Sequence, residues 1–182
     1  MFPKGTPGRL KCYCDDCQSY MHLIGRADLL DDNGGTEIIP AYPADVTIIS
    51  GAEYLQCKRL SPNGMYRFST TCCNTPIANT GPGTPWLGVH RTAYSDPREL
   101  DRSLGPVRSS IMGKFAKGHP PKGTPQKFNF KGFTIVMPYL LKGKLFKKSS
   151  PSPFFKEQNE PIVVPQVLTL AERKAALKNA GF

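Results

Sequence analysis

The chain has 182 residues, 39% of them hydrophobic, with 17 glycines and 18 prolines. That composition predicts one domain with appendages and many turns, and it excludes a large core or a membrane-length apolar run. The net charge is +10, yet 102–156 holds twelve Lys and Arg and no acid, while the remainder carries twelve basic and fourteen acidic residues.

At the amino end "RLKCYCD" reads as a short strand. Asp15 and Asp16 then stand where a helix would begin, since carboxylates suit its positive end. Cys17, Tyr20, Met21 and Ile24 follow at i, i+3, i+4 and i+7, one face of a helix, with Gly25 able to end it. "TEIIPAY", "DVTIIS", "YLQCKRL" and "MYRFSTT" read as strands separated by "YPAD", "SGAE" and "SPNG" turns. Pro40 and Pro43 suggest an edge or a break. "TPIANT" and "WLGVHRT" add strand material, so 14–92 predicts a short helix and an antiparallel meander. "DPRELDRSLG" predicts a short helix. "FTIVMPYLLKGKLF" is apolar, and its length does not separate strand from helix. "KKSSPSPFFKEQNEP" has linker composition. "LTLAERKAALKNAGF" predicts a helix, with a capping box at Thr169 and Glu172 and a stop at Gly181. The fold class expected is mainly β, with short helices and a C-terminal helix. The divisions are 1–96, a basic Gly/Pro/aromatic-rich 97–160, and 161–182.

The N-terminus "MFPKGTPGRL" lacks the apolar segment of a secretion signal, so the chain reads as soluble and cytoplasmic, with no membrane contact. In that compartment clustered cysteines more often bind metal or do chemistry than form disulfides. Cys12 and Cys14 sit at i and i+2 of a strand and share one face. Cys17 enters from the first helical turn, where a thiol is held toward its thiolate. Three sulfurs therefore converge, and zinc is the first choice of ion. Core packing and redox chemistry are the competing readings. The fourth position is either open, as in catalytic zinc, or closed by a distant cysteine. Cys57 alternates with Leu55 and reads as a small core hydrophobe. Cys72 and Cys73 point to opposite faces of a strand unless a turn at Asn74–Pro76 intervenes. With that turn, Cys73, or less certainly Cys72, becomes a fourth ligand.

The C-x-C-x-x-C entering a helix, the meander, and a strand ending in "CCNTPI" resemble the glutathione-dependent formaldehyde-activating enzymes, also called the centromere-protein-V-like group. The resemblance covers about residues 8–92. It implies a small zinc-binding β-tent. Cys12, Cys14 and Cys17 match the family's three catalytic-zinc ligands, and Cys73-Asn74-Thr75-Pro76 matches its late C-G-[ST]-P. The first cysteine of that late pair falls on Thr70, and the early C-x-C has no counterpart. The implied activity is that of a carbon–sulfur lyase on a thiol–aldehyde adduct of the S-hydroxymethylglutathione type. Zn2+ would be the cofactor, glutathione a co-substrate, and a small thiol or aldehyde the partner. No general base is assigned: His22 reads as a boundary residue, His90 as a core or edge position, and His119 as a loop residue.

A different class of function is a zinc-stabilised binding module. In it 102–156, with Phe115, Phe128, Phe130, Phe133 and Phe146 interleaved, contacts nucleic acid or another polyanion. The plain alternative is that these phenylalanines pack the extension onto the core. A redox role for adjacent Cys72 and Cys73 is a third reading. Oligomeric state is not legible.

Overall fold

The computed structural model describes residues 6–127 and 130–182. Eight strands form one mixed sheet: β1 (Arg9–Cys12), β2 (Thr36–Ala41), β3 (Leu55–Arg59), β4 (Tyr66–Thr70), β5 (Pro76–Thr80), β6 (Leu87–His90), β7 (Val107–Ile111) and β8 (Gln166–Val167). Among the described residues four helices accompany it: α1 (Asp15–Leu23), α2 (Pro97–Leu104), α3 (Phe130–Leu145) and α4 (Leu170–Asn179). The fold is mainly β with a C-terminal helix, as the composition and patterning predict. The spatial order is β7-β1-β2-β6-β5-β4-β3-β8. β3 to β6 form the antiparallel meander, β2 joins it through β6, and β7 and β8 add parallel strands at the two edges.

Cross-strand partners share a face, so the register sorts the side chains. Leu10, Ile38 and His90 lie in one row; Pro40, Gly88, Asn79, Arg67 and Lys58 lie in the next on the same face. The opposite face carries Ala41, Leu87, Val89, Ala78, Phe68 and Cys57, packed against Phe154 and Phe155. The Phe68 and Phe154 ring centroids are 4.5 Å apart. The stretch with linker composition therefore fills the core instead, because its two phenylalanines have an apolar face to cover.

One further expectation is corrected. "DVTIIS" forms no strand; it runs between β2 and β3 with no partner in the sheet. Val46 and Ile48 pack on the core while Ile49 is exposed. Pro40 stands at a local edge of β2, as expected. The β1–β2 pairing ends at Ile38, and Pro40 faces only Gly88 of β6, so its missing donor leaves no gap between β1 and β2.

α1 lies over the first face. Tyr20, Met21 and Ile24 are buried with Leu60 and with Leu168, which leads into α4. α4 begins at the expected capping box, with Glu172 N–H donating to Thr169 Oγ1 at 3.2 Å and Thr169 N–H to Glu172 Oε2 at 2.7 Å. The apolar segment left undecided by its length is helical, and Pro138 lies within it. Tyr139 of α3 stacks on Tyr42, centroids 4.2 Å apart, and the Tyr42 hydroxyl donates to the Tyr139 carbonyl at 2.8 Å.

Candidate metal centre

Cys12 ends β1, Cys14 caps α1, and Cys17 lies in its first turn. Cys14 has extended backbone angles, as an N-cap requires, and its Sγ accepts the Cys17 N–H at 3.3 Å. The three Sγ atoms lie within 4.8 Å of one another. Cys12 and Cys17 are buried and Cys14 is half-buried. Ile38, Ile111 and Met112 pack around them. The convergence expected from the spacing is therefore present, and the cluster could hold a metal ion.

The surroundings favour negative charge on Cys17 and oppose it on Cys12 and Cys14. The Cys12 and Cys14 thiols, facing Cys17, hold it well below the ordinary thiol range; burial opposes this, and the Arg67 guanidinium adds to it. The same contacts, with Cys14 foremost, and burial push Cys12 up. Arg67 is the second residue of β4 and is 5% exposed. Its Nη1 lies 3.8 Å from Cys17 Sγ and its Nη2 lies 3.9 Å from Asp16, while the guanidinium covers the Tyr20 ring. Asp16 also receives Arg173 of α4 at 3.3 Å. The carboxylate expected only to favour a helix start thus also links α1 to α4. Gln18, fully buried, donates through Nε2 to the carbonyls of Tyr13 at 2.6 Å and Phe115 at 2.9 Å. It ties the helix to the segment after β7.

His90 is buried on the same sheet face, one strand over from Ile38. Burial first, and then Arg67, push it down to about 4, so it is neutral near pH 7. With Thr36 it lines a cavity of about 340 Å³. Thr36 is the cross-strand partner of Cys12, and its buried Oγ1 has no hydrogen-bond partner among the described residues. His22 is half-buried on α1, and His119 is exposed.

Cys72 and Cys73 do not join the three-sulfur group among the described residues. They are exposed on the β4–β5 turn, and Asn74, at φ +53°, supplies the turn. Their sulfurs are 3.2 Å apart, and Cys73 Sγ lies 3.2 Å from the Thr70 and Thr75 hydroxyls. Those contacts, Thr70 first, lower Cys73 to about 6. Cys57 is buried in the opposite core, as its alternation implied. Of the interleaved phenylalanines, Phe115 packs edge-on against Phe182, whereas Phe133 and Phe146 are 48% and 61% exposed. Phe128 and the side chain of Phe130 lie outside the described residues.

A family model described as a family of unknown function, DUF6151, matches residues 4–164. The chain belongs to the DUF6151 family. No curated protein and no solved structure matches it. The DUF6151 match takes in the cysteine motif, β1 to β7 and the basic stretch together. Among the described residues no helix is long and apolar enough to cross a membrane.

Proposed function

We propose that this DUF6151 protein is zinc-dependent and acts as a carbon–sulfur lyase on a thiol–aldehyde adduct of the S-hydroxymethylglutathione type. Cys12, Cys14 and Cys17 would hold the metal. The observation that carries the metal is the approach of three Sγ atoms to within 4.8 Å. Tetrahedral zinc with bonds near 2.3 Å needs sulfurs roughly 3.8 Å apart, which small side-chain rotations supply. Thiolate donors favour zinc over calcium or magnesium, and the low-lying Cys17 is already disposed to lose its proton.

A bound zinc supplies Lewis acidity and an anchor for sulfur. The protein supplies the rest. Arg67 offsets the negative charge on Cys17, Ile38, Ile111 and Met112 limit water, and half-buried Cys14 leaves one side approachable. Three ligands from one motif, with no fourth Cys, His or carboxylate in the group among the described residues, fit the catalytic pattern better than the closed structural one. The choice of thiol–aldehyde adduct rests on the resemblance over residues 8–92.

The test is metal content and X-ray absorption on the purified chain, with adduct turnover followed by NMR. One zinc with three sulfurs and one light atom, and turnover lost in Cys12→Ser, is the expected result. Absence of bound metal overturns the reading; a four-sulfur shell overturns the lyase assignment.

The second reading, a non-catalytic module binding a polyanion, is favoured by exposed Phe133, Lys142, Lys144, Phe146 and Lys147, spread along α3 and just beyond it. Such binding weakens steeply with added salt, whereas turnover of a small adduct does not.

A further inference from the structure

The sheet face that carries Cys12 continues past Leu10 and Pro40 into a cavity of about 1220 Å³ beneath α3. That exceeds the roughly 300–1,000 Å³ of ordinary small-molecule sites. The sheet side is formed by Leu10, Pro40, Trp86 and Ile111. The helix side is formed by Val136, Met137, Leu140 and Leu141. α3 is held over this space by one stripe, Tyr139 and Gly143. Tyr139 stacks on Tyr42, and a Cβ on Gly143 would come within 2.6 Å of Pro85. The neighbouring stripes, Val136 with Leu140 and Met137 with Leu141 and Lys144, follow the i, i+4, i+7 spacing and face the cavity.

The wall is apolar, but three cations also line it: Arg108, Lys122 and Lys144, all exposed and so at the mouth. No Asp or Glu is among the described lining residues, and 102–156 contains none. Positive charge at the mouth of an apolar space is complementary to a molecule with an apolar body and an anionic end. A nucleic acid satisfies the charge but offers little to bury against leucine and methionine.

The geometry points to a binding site for a long-chain carboxylate, its hydrocarbon between the sheet and α3 and its carboxylate among Arg108, Lys122 and Lys144. Ile111 both lines this space and packs against the cysteine cluster, so the bound chain lies beside the candidate metal centre. The site itself is argued from the cavity and does not depend on metal.

The test is calorimetric titration of the full chain with dodecanoate below its micelle concentration, against dodecanol and butyrate. Saturable one-to-one binding of dodecanoate is expected, at least about fivefold tighter than dodecanol, with butyrate silent. Leu140→Trp, which fills the cavity, abolishes binding while circular dichroism stays native. Lys144→Gln, on the exposed surface, weakens it about fivefold and decides the matter if the tryptophan variant does not fold. Cys12→Ser binds as wild type, which separates this site from the metal reading. Overturning results are no saturable binding, equal affinity for dodecanoate and dodecanol, or an unchanged Lys144→Gln. A concentration-dependent dimer that binds no dodecanoate also overturns it, by assigning the cavity to a second copy.

Discussion

Cys17 and Arg67 meet in a place with little water. Arg67 is buried, and its Nη1 lies 3.8 Å from the sulfur. A metal held by three thiolates carries net negative charge, and Arg67 is positioned to offset it. Partners of this kind are typically worth about 10–100-fold in metal affinity. Arg67→Met is therefore expected to weaken zinc binding by about that factor in competition with a chromophoric chelator, and Arg67→Lys to recover part of it. Equal affinity in all three proteins would remove Arg67 from the site. Nothing in the sequence marks Arg67, because a strand arginine reads as exposed and only the passage of α1 over β4 buries it. The cysteines were legible because the three need no distant partner: strand alternation and one helical turn bring them together. Gln18 and His90 were not, since the neighbours that give them meaning come from other strands and from the segment after β7.

Among the elements, α1 and α4 follow from local pattern. The four residues at helical spacing, in α1 and at its C-cap Ile24, are all at most 5% exposed, and both halves of the α4 capping box are formed. β7 and β8 lack such a signal. One is serine-rich and the other is two residues long, and each exists because an edge of the sheet accepts it. α3 is intermediate, its type settled by docking onto Tyr42. Gly143 makes that docking close: a Cβ there would stand 2.5 Å from the Tyr42 ring. On an isolated helix, replacing glycine by alanine gains about 1 kcal/mol. Here overpacking, which typically costs about 1–3 kcal/mol, should prevail. Gly143→Ala is expected to lower the urea midpoint, with Gly143→Val lowering it further. A stabilised Gly143→Ala would show that α3 does not sit against Tyr42.

At the scale of the whole molecule, His90 makes stability depend on pH. An unfolded histidine titrates near 6.5, and folded His90 near 4. Between those values the unfolded chain takes up a proton that the native chain refuses. The contribution is thus complete above about pH 6.5 and is lost as pH falls toward 4. About 2 kcal/mol should be gone by pH 5. Urea titrations at pH 7.5 and pH 5 should show this loss in the wild type and a shallower one in His90→Gln, and equal slopes would refute it. Cys17, also held low, adds a slope of the same sign to both proteins.

Both borders of the sheet are occupied by strands made after their partners, β7 against β1 and, much later, β8 against β3. Unpaired borders are templates for foreign strands, and during synthesis the amino-terminal part emerges first. The helix bearing Cys17 gains its cover, Leu168 and α4, after every described strand has been made. A nascent chain thus exposes the helix bearing Cys17 and the open margin of β3 until β8 and α4 have emerged, well after β7 has covered β1, which makes that interval the time when ion capture and chaperone protection matter most.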